Sequence, residues 1–187
     1  KGKIMAKILI TIANGFEEIE AITIIDVCRR ANIKVVIAGV ESLEIIGSHG
    51  IKIISDTKIE NINCDDFDMI VLPGGYGGTM TLAENETVQR LIKEFDGARK
   101  TVGAICAAPI ALDRAGVLKE EYTCYPGVPD VIKSSKFVEK TIVESQNVIT
   151  SRGPGTAICF GLYIIEKLAD KETAEAVKGG MLAAYCY

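Results

Sequence analysis

The sequence has no tryptophan, only one histidine, and no closely spaced pair among its six cysteines. Neighbouring cysteines along the chain are at least 18 residues apart. Without a C-x-x-C pair, the sequence predicts neither a zinc site nor thioredoxin-type chemistry. Scattered cysteines in a chain of this length are typical of a reducing, cytoplasmic compartment rather than of a disulfide framework. We therefore predict free thiols, no metal and no cofactor.

Long basic runs and long apolar runs are also missing. The net charge is −4, which argues against nucleic acid or an anionic membrane surface as the main partner. No apolar run reaches the ~18 residues that a membrane span needs. The first four residues lack the features of a signal peptide, because no apolar region with a small-residue cleavage site follows them. The 187 residues, 48% of them hydrophobic, predict one domain over residues 1–187 with a full core.

Short apolar runs alternate with helical patterns along most of the chain. This alternation predicts an α/β fold, with a doubly wound, mostly parallel sheet and helices on both faces. A small β-hairpin is expected over residues 42–55. Less regular strands are expected over residues 121–126 and 136–144. The predicted core strands cover residues 6–13, 34–40, 68–72, 101–105 and 148–151, and the predicted helices cover residues 16–31, 84–95, 107–115, 157–168 and 171–184.

The first predicted helix has more apolar positions than a single stripe requires. We infer that it packs on the sheet and also on something else, such as a second subunit. The only histidine, His49, lies at the tip of the predicted hairpin. That position is more typical of a surface or interface residue than of a catalytic base.

Cys106 lies at the corner between a predicted strand and a predicted helix. The free N–H groups at the helix start would favour a thiolate over a thiol. This arrangement is that of a nucleophile elbow with sulfur in place of the serine oxygen. A buried cysteine acting as a small hydrophobic residue fits the same stretch equally well, so the stretch alone leaves both interpretations open.

Three further groups of residues belong to loops that meet at the carboxyl edge of such a sheet. The glycine-rich loop over residues 74–78 allows backbone N–H groups to approach a ligand or an oxyanion, although a ligand-free turn is common there. A buried, protonated glutamate could donate a hydrogen bond to sulfur, but the spacing does not choose among Glu17, Glu18 and Glu20. Arg152 could hold an anion, but a structural role, in which it ties its loop to a neighbouring loop, is slightly favoured over anion binding.

Four motifs, in order and covering nearly the whole chain, resemble the ThiJ/PfpI superfamily, most closely its parkinsonism-linked "DJ-one" branch and the bacterial YajL-type proteins. They are Gly15-Phe-Glu-Glu-Ile-Glu-Ala21, Asp68-Met-Ile-Val-Leu-Pro-Gly-Gly75, Ala104-Ile-Cys-Ala-Ala-Pro109 and Thr150-Ser-Arg-Gly-Pro-Gly-Thr156. The resemblance implies a flavodoxin-like sandwich and a homodimer that uses the first helix. It also implies Cys106 as the reactive cysteine and Glu20 as its protonated partner. The matching oxyanion and substrate-binding positions are Gly74, Gly75, Ala107, Tyr125 and Arg152.

Two positions depart from related patterns. Protease-like members have a histidine directly after the nucleophile, where this sequence has Ala107, and Tyr125 occupies a position where some relatives carry a histidine. Without a Cys-His pair, peptidase activity is disfavoured.

The resemblance implies instead a cytoplasmic, cofactor-independent glyoxalase or deglycase. Its substrates would be α-oxoaldehydes such as methylglyoxal, or glycated proteins and nucleotides, so that nucleic acid enters only as a glycated substrate. A redox sensor and oxidation-regulated chaperone acting through Cys106 is the alternative. A role in thiazole biosynthesis ranks below both.

Overall fold

The computed structural model describes residues 5–186. Residues 1–4, for which we predict no signal peptide, and residue 187 lie outside the described part of the chain. The strands are β1 Lys7–Ile12, β2 Lys34–Gly39, β3 Glu44–Ile46, β4 Lys52–Ile54, β5 Thr57–Lys58, β6 Met69–Leu72, β7 Thr101–Ile105, β8 Glu121–Tyr122, β9 Lys136–Phe137, β10 Ile142–Ser145 and β11 Val148–Ser151. The helices are α1 Glu18–Arg30, α2 Tyr76–Glu84, α3 Glu86–Gly97, α4 Pro109–Ala115, α5 Ala157–Leu168 and α6 Lys171–Gly180.

The central sheet has seven strands in the order β10-β11-β7-β6-β1-β2-β5. All of its pairings are parallel except that of β10 with β11. From the adjacent strands β1 and β6, the chain adds β2 and β5 on one side and β7, β11 and β10 on the other. This reversal of direction between β1 and β6 confirms the predicted doubly wound sheet. The carboxyl ends of β1, β6 and β7 therefore lie side by side, and the loops that carry the candidate site residues follow these three strands.

Each face of the sheet is covered by its own group of helices. On β1, Ile8, Ile10 and Ile12 contribute to the apolar cluster that contains α1, α5 and α6 residues, whereas Leu9 contributes to the cluster under α2, α3 and α4. The alternation follows from the two-residue period of a strand. Both faces of β1 are buried, which explains why its sequence is almost uniformly apolar.

The predicted hairpin is confirmed as β3 and β4, which pair antiparallel on either side of the turn that holds His49.

Two predicted segments are each divided into two elements in the structure. The single helix expected over residues 84–95 is preceded by α2, which begins inside the glycine-rich loop. A Cβ on Gly78 would lie 2.8 Å from the backbone N of Phe16, so glycine allows this helix to approach the turn after β1. The strand expected over residues 136–144 is two short strands, β9 and β10.

The prediction that all cysteines are free is wrong for one pair. Cys159 on α5 and Cys186 after α6 form a disulfide with a Cα–Cα distance of 5.2 Å. The packing of α6 against α5 brings the two residues together although 27 positions separate them, so their spacing in the sequence gave no indication of the bond. The other four cysteines are free and buried. In residues 5–186, no helix combines the length and the apolar character needed to cross a bilayer.

Candidate active site

The backbone of Cys106 adopts a conformation that residues other than glycine rarely adopt. Its φ is 65°, in the left-handed region, directly after β7 and three residues before α4. Two hydrogen bonds hold it there: the Cys106 N–H donates to the carbonyl of Ser151 at 3.1 Å, and the Cys106 carbonyl accepts from the N–H of Tyr125 at 3.0 Å. Such strain costs of the order of 1–3 kcal/mol and is concentrated at functional sites. The predicted strand-to-helix elbow is therefore present, with Cys106 at its corner.

Glu20 is a fully buried carboxyl on the inner face of α1. Its Oε2 accepts a hydrogen bond from the N–H of Gly74 at 2.7 Å. Its Oε1 has no well-formed hydrogen bond to any described residue, which makes that oxygen the natural position for a proton. Burial raises the pKa of Glu20 to about 7, against the lowering effects of the Gly74 N–H and the Cys106 thiol. The charge of Glu17 raises the pKa further.

The thiol of Cys106 shares these surroundings and is 8% exposed. Burial raises its pKa to about 12, and the neighbouring Glu20 carboxylate contributes to the increase. The backbone N–H groups of Gly75 and Ala107 act on the sulfur in the opposite direction. The lowered thiol pKa that we expected from the helix start is therefore not found, because α4 begins only at Pro109 and burial removes the hydration that a thiolate needs.

The two groups are best described as one acid–base pair. Below a pH of about 7 the pair holds two protons, and above it a single proton is shared between the Glu20 carboxyl and the Cys106 thiol. When that proton is on Glu20, the carboxyl is neutral and can donate it to the sulfur. The carboxyl then neither repels a thiolate by its charge nor accepts the thiol proton, and these are the two effects of Glu20 that raise the thiol pKa. The pair can therefore generate a thiolate by moving one proton over a short distance.

Gly74 lies against both members of the pair. A Cβ on Gly74 would come within 2.6 Å of the Cys106 Cβ and 2.7 Å of Glu20 Oε2, so a side chain at this position would separate them. The N–H of Gly74, which we expected to bind an oxyanion, is occupied by Glu20. Gly75 and Ala107 are the positions whose N–H groups act on the sulfur.

The remaining predicted residues flank the elbow. Tyr125 is half-exposed, and its ring lies against the backbone of Gly153. The guanidinium of Arg152 donates to Glu139 at 2.7 Å and, at 3.4 Å, to the carbonyl of Cys124. These contacts fit the loop-tying role that the sequence slightly favoured.

Glu17 has a part in the site that the sequence did not reveal. Its side chain caps α1 by accepting the N–H of Glu20 at 2.8 Å, and its own N–H donates to the carbonyl of Gly74 at 2.9 Å. It thereby joins the acid–base pair to the loop after β6. A signal for Glu20 itself was present, since it shares one helix face with Ile24 and Val27 at intervals of four and three residues. An acid in line with core residues points to a buried carboxyl.

The model of the DJ-1/PfpI family matches residues 6–167. The protein dj-1beta of Drosophila melanogaster is 41% identical over 181 residues, covering 95% of this chain and 97% of that protein. The crystal structure of Drosophila melanogaster DJ-1beta superposes with a TM-score of 0.92 at 39% identity, covering 96% of this chain and 98% of the other. A Caenorhabditis elegans protein named glutathione-independent glyoxalase DJR-1.2 is 35% identical over 163 residues, covering 86% of this chain and 87% of that protein.

Proposed function

Because the chain belongs to the DJ-1/PfpI family, we propose that it is a cysteine-dependent, cofactor-independent glyoxalase or deglycase. Its substrates are methylglyoxal-type α-oxoaldehydes or the adducts that these form with proteins and nucleotides. The observation that carries the proposal is the contact of Cys106 with the buried carboxyl of Glu20, beside two N–H groups that act on the sulfur. The activity named for the Caenorhabditis elegans relative supports the substrate class.

In the proposed reaction, the thiol proton passes to Glu20 as the sulfur attacks the aldehyde carbon of methylglyoxal. The resulting hemithioacetal oxygen is stabilised by the N–H groups of Gly75 and Ala107 and takes the proton from Glu20. The ionised Glu20 then removes the hydrogen of the former aldehyde carbon as a proton and returns it to the neighbouring carbon. The hydroxyl proton of the hemithioacetal passes to the oxygen on that neighbouring carbon, which becomes the hydroxyl of lactate, and the former aldehyde carbon becomes the thioester carbonyl. One carbon is oxidised and the other reduced, so no external oxidant is needed. Water then cleaves the thioester and releases lactate and the free thiol.

The direct test is the formation of lactate from methylglyoxal by the purified protein in the absence of glutathione. We expect one lactate for each methylglyoxal consumed, because the proposed steps add only water. When the reaction is run in D₂O, deuterium should appear on the carbon next to the carboxylate to the extent that the Glu20 proton exchanges with solvent. Consumption of methylglyoxal without lactate would contradict the proposal, since simple trapping by amines and thiols gives no hydroxy acid.

Glu20→Gln tests the acid–base pair through the pH dependence of kcat/KM. In the wild type we expect kcat/KM to rise as the pH increases through about 7, because the pair then loses its first proton and holds the single one that the reaction needs. The glutamine variant should lose this inflection and about 10²-fold or more in kcat. An unchanged pH profile in the variant would exclude Glu20 as the proton carrier.

A redox sensor acting through Cys106 remains the second candidate function. The observation that favours it is that the Gly75 and Ala107 N–H groups act directly on the sulfur, where they could bind the oxygens of a sulfinate. The lactate measurement separates the two functions, because a sensor requires oxidation of Cys106 but no turnover of methylglyoxal.

We further propose that the protein works as a homodimer that pairs through α1. On α1, Ile19 and Ile22 are 57% and 44% exposed, and Ile46, Ile51 and Ile54 of the hairpin are also exposed. This much exposed isoleucine on neighbouring elements is typical of a surface that another protein covers.

A further inference from the structure

We infer that Glu17, Glu18 and His49 form a binding site for a divalent transition-metal ion such as Zn²⁺, beside the acid–base pair and with no part in the steps of the proposed reaction. One donor atom from each residue lies within 4.8 Å of the other two. The Nδ1 of His49 is 2.8 Å from Oε2 of Glu18 and 3.9 Å from Oε1 of Glu17. The fold brings the hairpin tip onto the start of α1 and so assembles the three residues.

These distances suit a metal ion. Two ligand atoms at ~2.1 Å from a tetrahedral zinc ion are about 3.4 Å apart. The two measured separations lie on either side of this value, and the third, between the two glutamates, is within 4.8 Å, so side-chain rotations would bring all three donors into the coordination shell. An imidazole nitrogen with two carboxylate oxygens is a donor set for zinc and its neighbours, whereas calcium and magnesium favour oxygen alone.

The carboxylates are held in place before any ion arrives. Oε1 of Glu18 accepts the N–H of His49 at 2.6 Å, and its Oε2 accepts from the hydroxyl of Ser48 at 3.2 Å. A Cβ on Gly47 would lie 2.3 Å from Glu18 Oε1, so this glycine allows the hairpin to close on the carboxylate. Both glutamates are more than nine-tenths buried. Ligands fixed in this way lose little conformational entropy when they bind.

One oxygen in the cluster has no hydrogen-bond donor. Oε2 of Glu17 caps α1, but within residues 5–186 its Oε1 accepts no hydrogen bond and has only the His49 ring nitrogen nearby as a potential cation. The residue as a whole is 8% exposed, and a carboxylate with so little access to solvent is costly unless a positive charge faces it. In the single chain the imidazole side chain is 71% exposed, which leaves space beside it for further ligands. An ion bound here would neutralise Glu17 and tie the hairpin to α1.

The test is the titration of the intact, full-length protein with Zn²⁺ and with Co²⁺, which reports its ligands in its spectrum. We expect one ion per chain and weak visible cobalt bands without an intense near-ultraviolet charge-transfer band, because nitrogen and oxygen rather than thiolate bind the metal. His49→Ala should weaken zinc binding by more than about tenfold and abolish the rise in Tm that zinc gives the wild type. Glu17→Gln, which keeps the side-chain size, should have the same effects.

Glu44→Gln is the matched control. Glu44 is an exposed carboxylate on the same hairpin, paired with Lys52 at 3.0 Å and outside the cluster. Its replacement should leave zinc affinity unchanged. The inference is overturned if His49→Ala binds zinc like the wild type, if the wild type binds no zinc, or if cobalt shows the charge-transfer band of a thiolate, which would place the metal on a cysteine.

Discussion

Replacing Cys106 with alanine is expected to abolish the formation of lactate from methylglyoxal. The proposed reaction passes through a covalent bond to this sulfur, so its removal should reduce kcat/KM by roughly four to six orders of magnitude. The side chain is small and its backbone is held by Ser151 and Tyr125, so the variant should fold normally. Lactate formation and Tm, measured on the same preparation, check both parts of the expectation.

Cys64→Ala is the matched control for this loss. Cys64 is a free cysteine with an exposure of 6%, close to the 8% of Cys106. Its pKa is raised by burial, but its surroundings include neither Glu20 nor the N–H groups of the elbow. The control variant should therefore retain wild-type turnover. Equal turnover in both variants would mean that the elbow is not the reaction centre.

The sheet and the elbow could be predicted because their signals are local. The isoleucine-rich run that became β1 and the small residues around Cys106 each restrict the backbone within a few positions. The start of α2 could not be read in this way. Gly77 and Gly78 weaken a helix by propensity, and only the close approach of Phe16 in the folded chain explains why glycine is needed at position 78.

The chemistry of the site was less accessible from the sequence, because it depends on contacts between distant segments. The hydrogen bond from Gly74 to Glu20 joins residues 54 positions apart, and it turns an expected oxyanion donor into a support for the carboxyl. The Glu18–His49 contact spans 31 positions. The raised pKa of Cys106 has the same origin, because the burial that causes it is a property of the whole fold rather than of the helix start.

Opening the disulfide between Cys159 and Cys186 is expected to lower the free energy of unfolding substantially. A cross-link that spans 27 residues stabilises a folded protein by about 3 kcal/mol, mainly by restricting the unfolded chain. In a protein of this size, that free energy corresponds to a decrease in Tm of about 6–12 °C. The oxidised protein should therefore melt at a higher temperature than the same protein in dithiothreitol.

Cys186→Ala separates this bond from other effects of the reductant. The variant should melt near the temperature of the reduced wild type and should be insensitive to dithiothreitol, whereas Cys64→Ala should keep the full sensitivity. Both members of the active-site pair, on α1 and at the elbow, precede the segment of residues 159–186 that the bond closes, so turnover at low temperature should be unaffected. If the oxidised wild type showed six free thiols by mass spectrometry, or the same Tm with and without reductant, the bond would not contribute to the fold. In a reducing compartment the bond would be open, and the lower melting temperature would then describe the working protein.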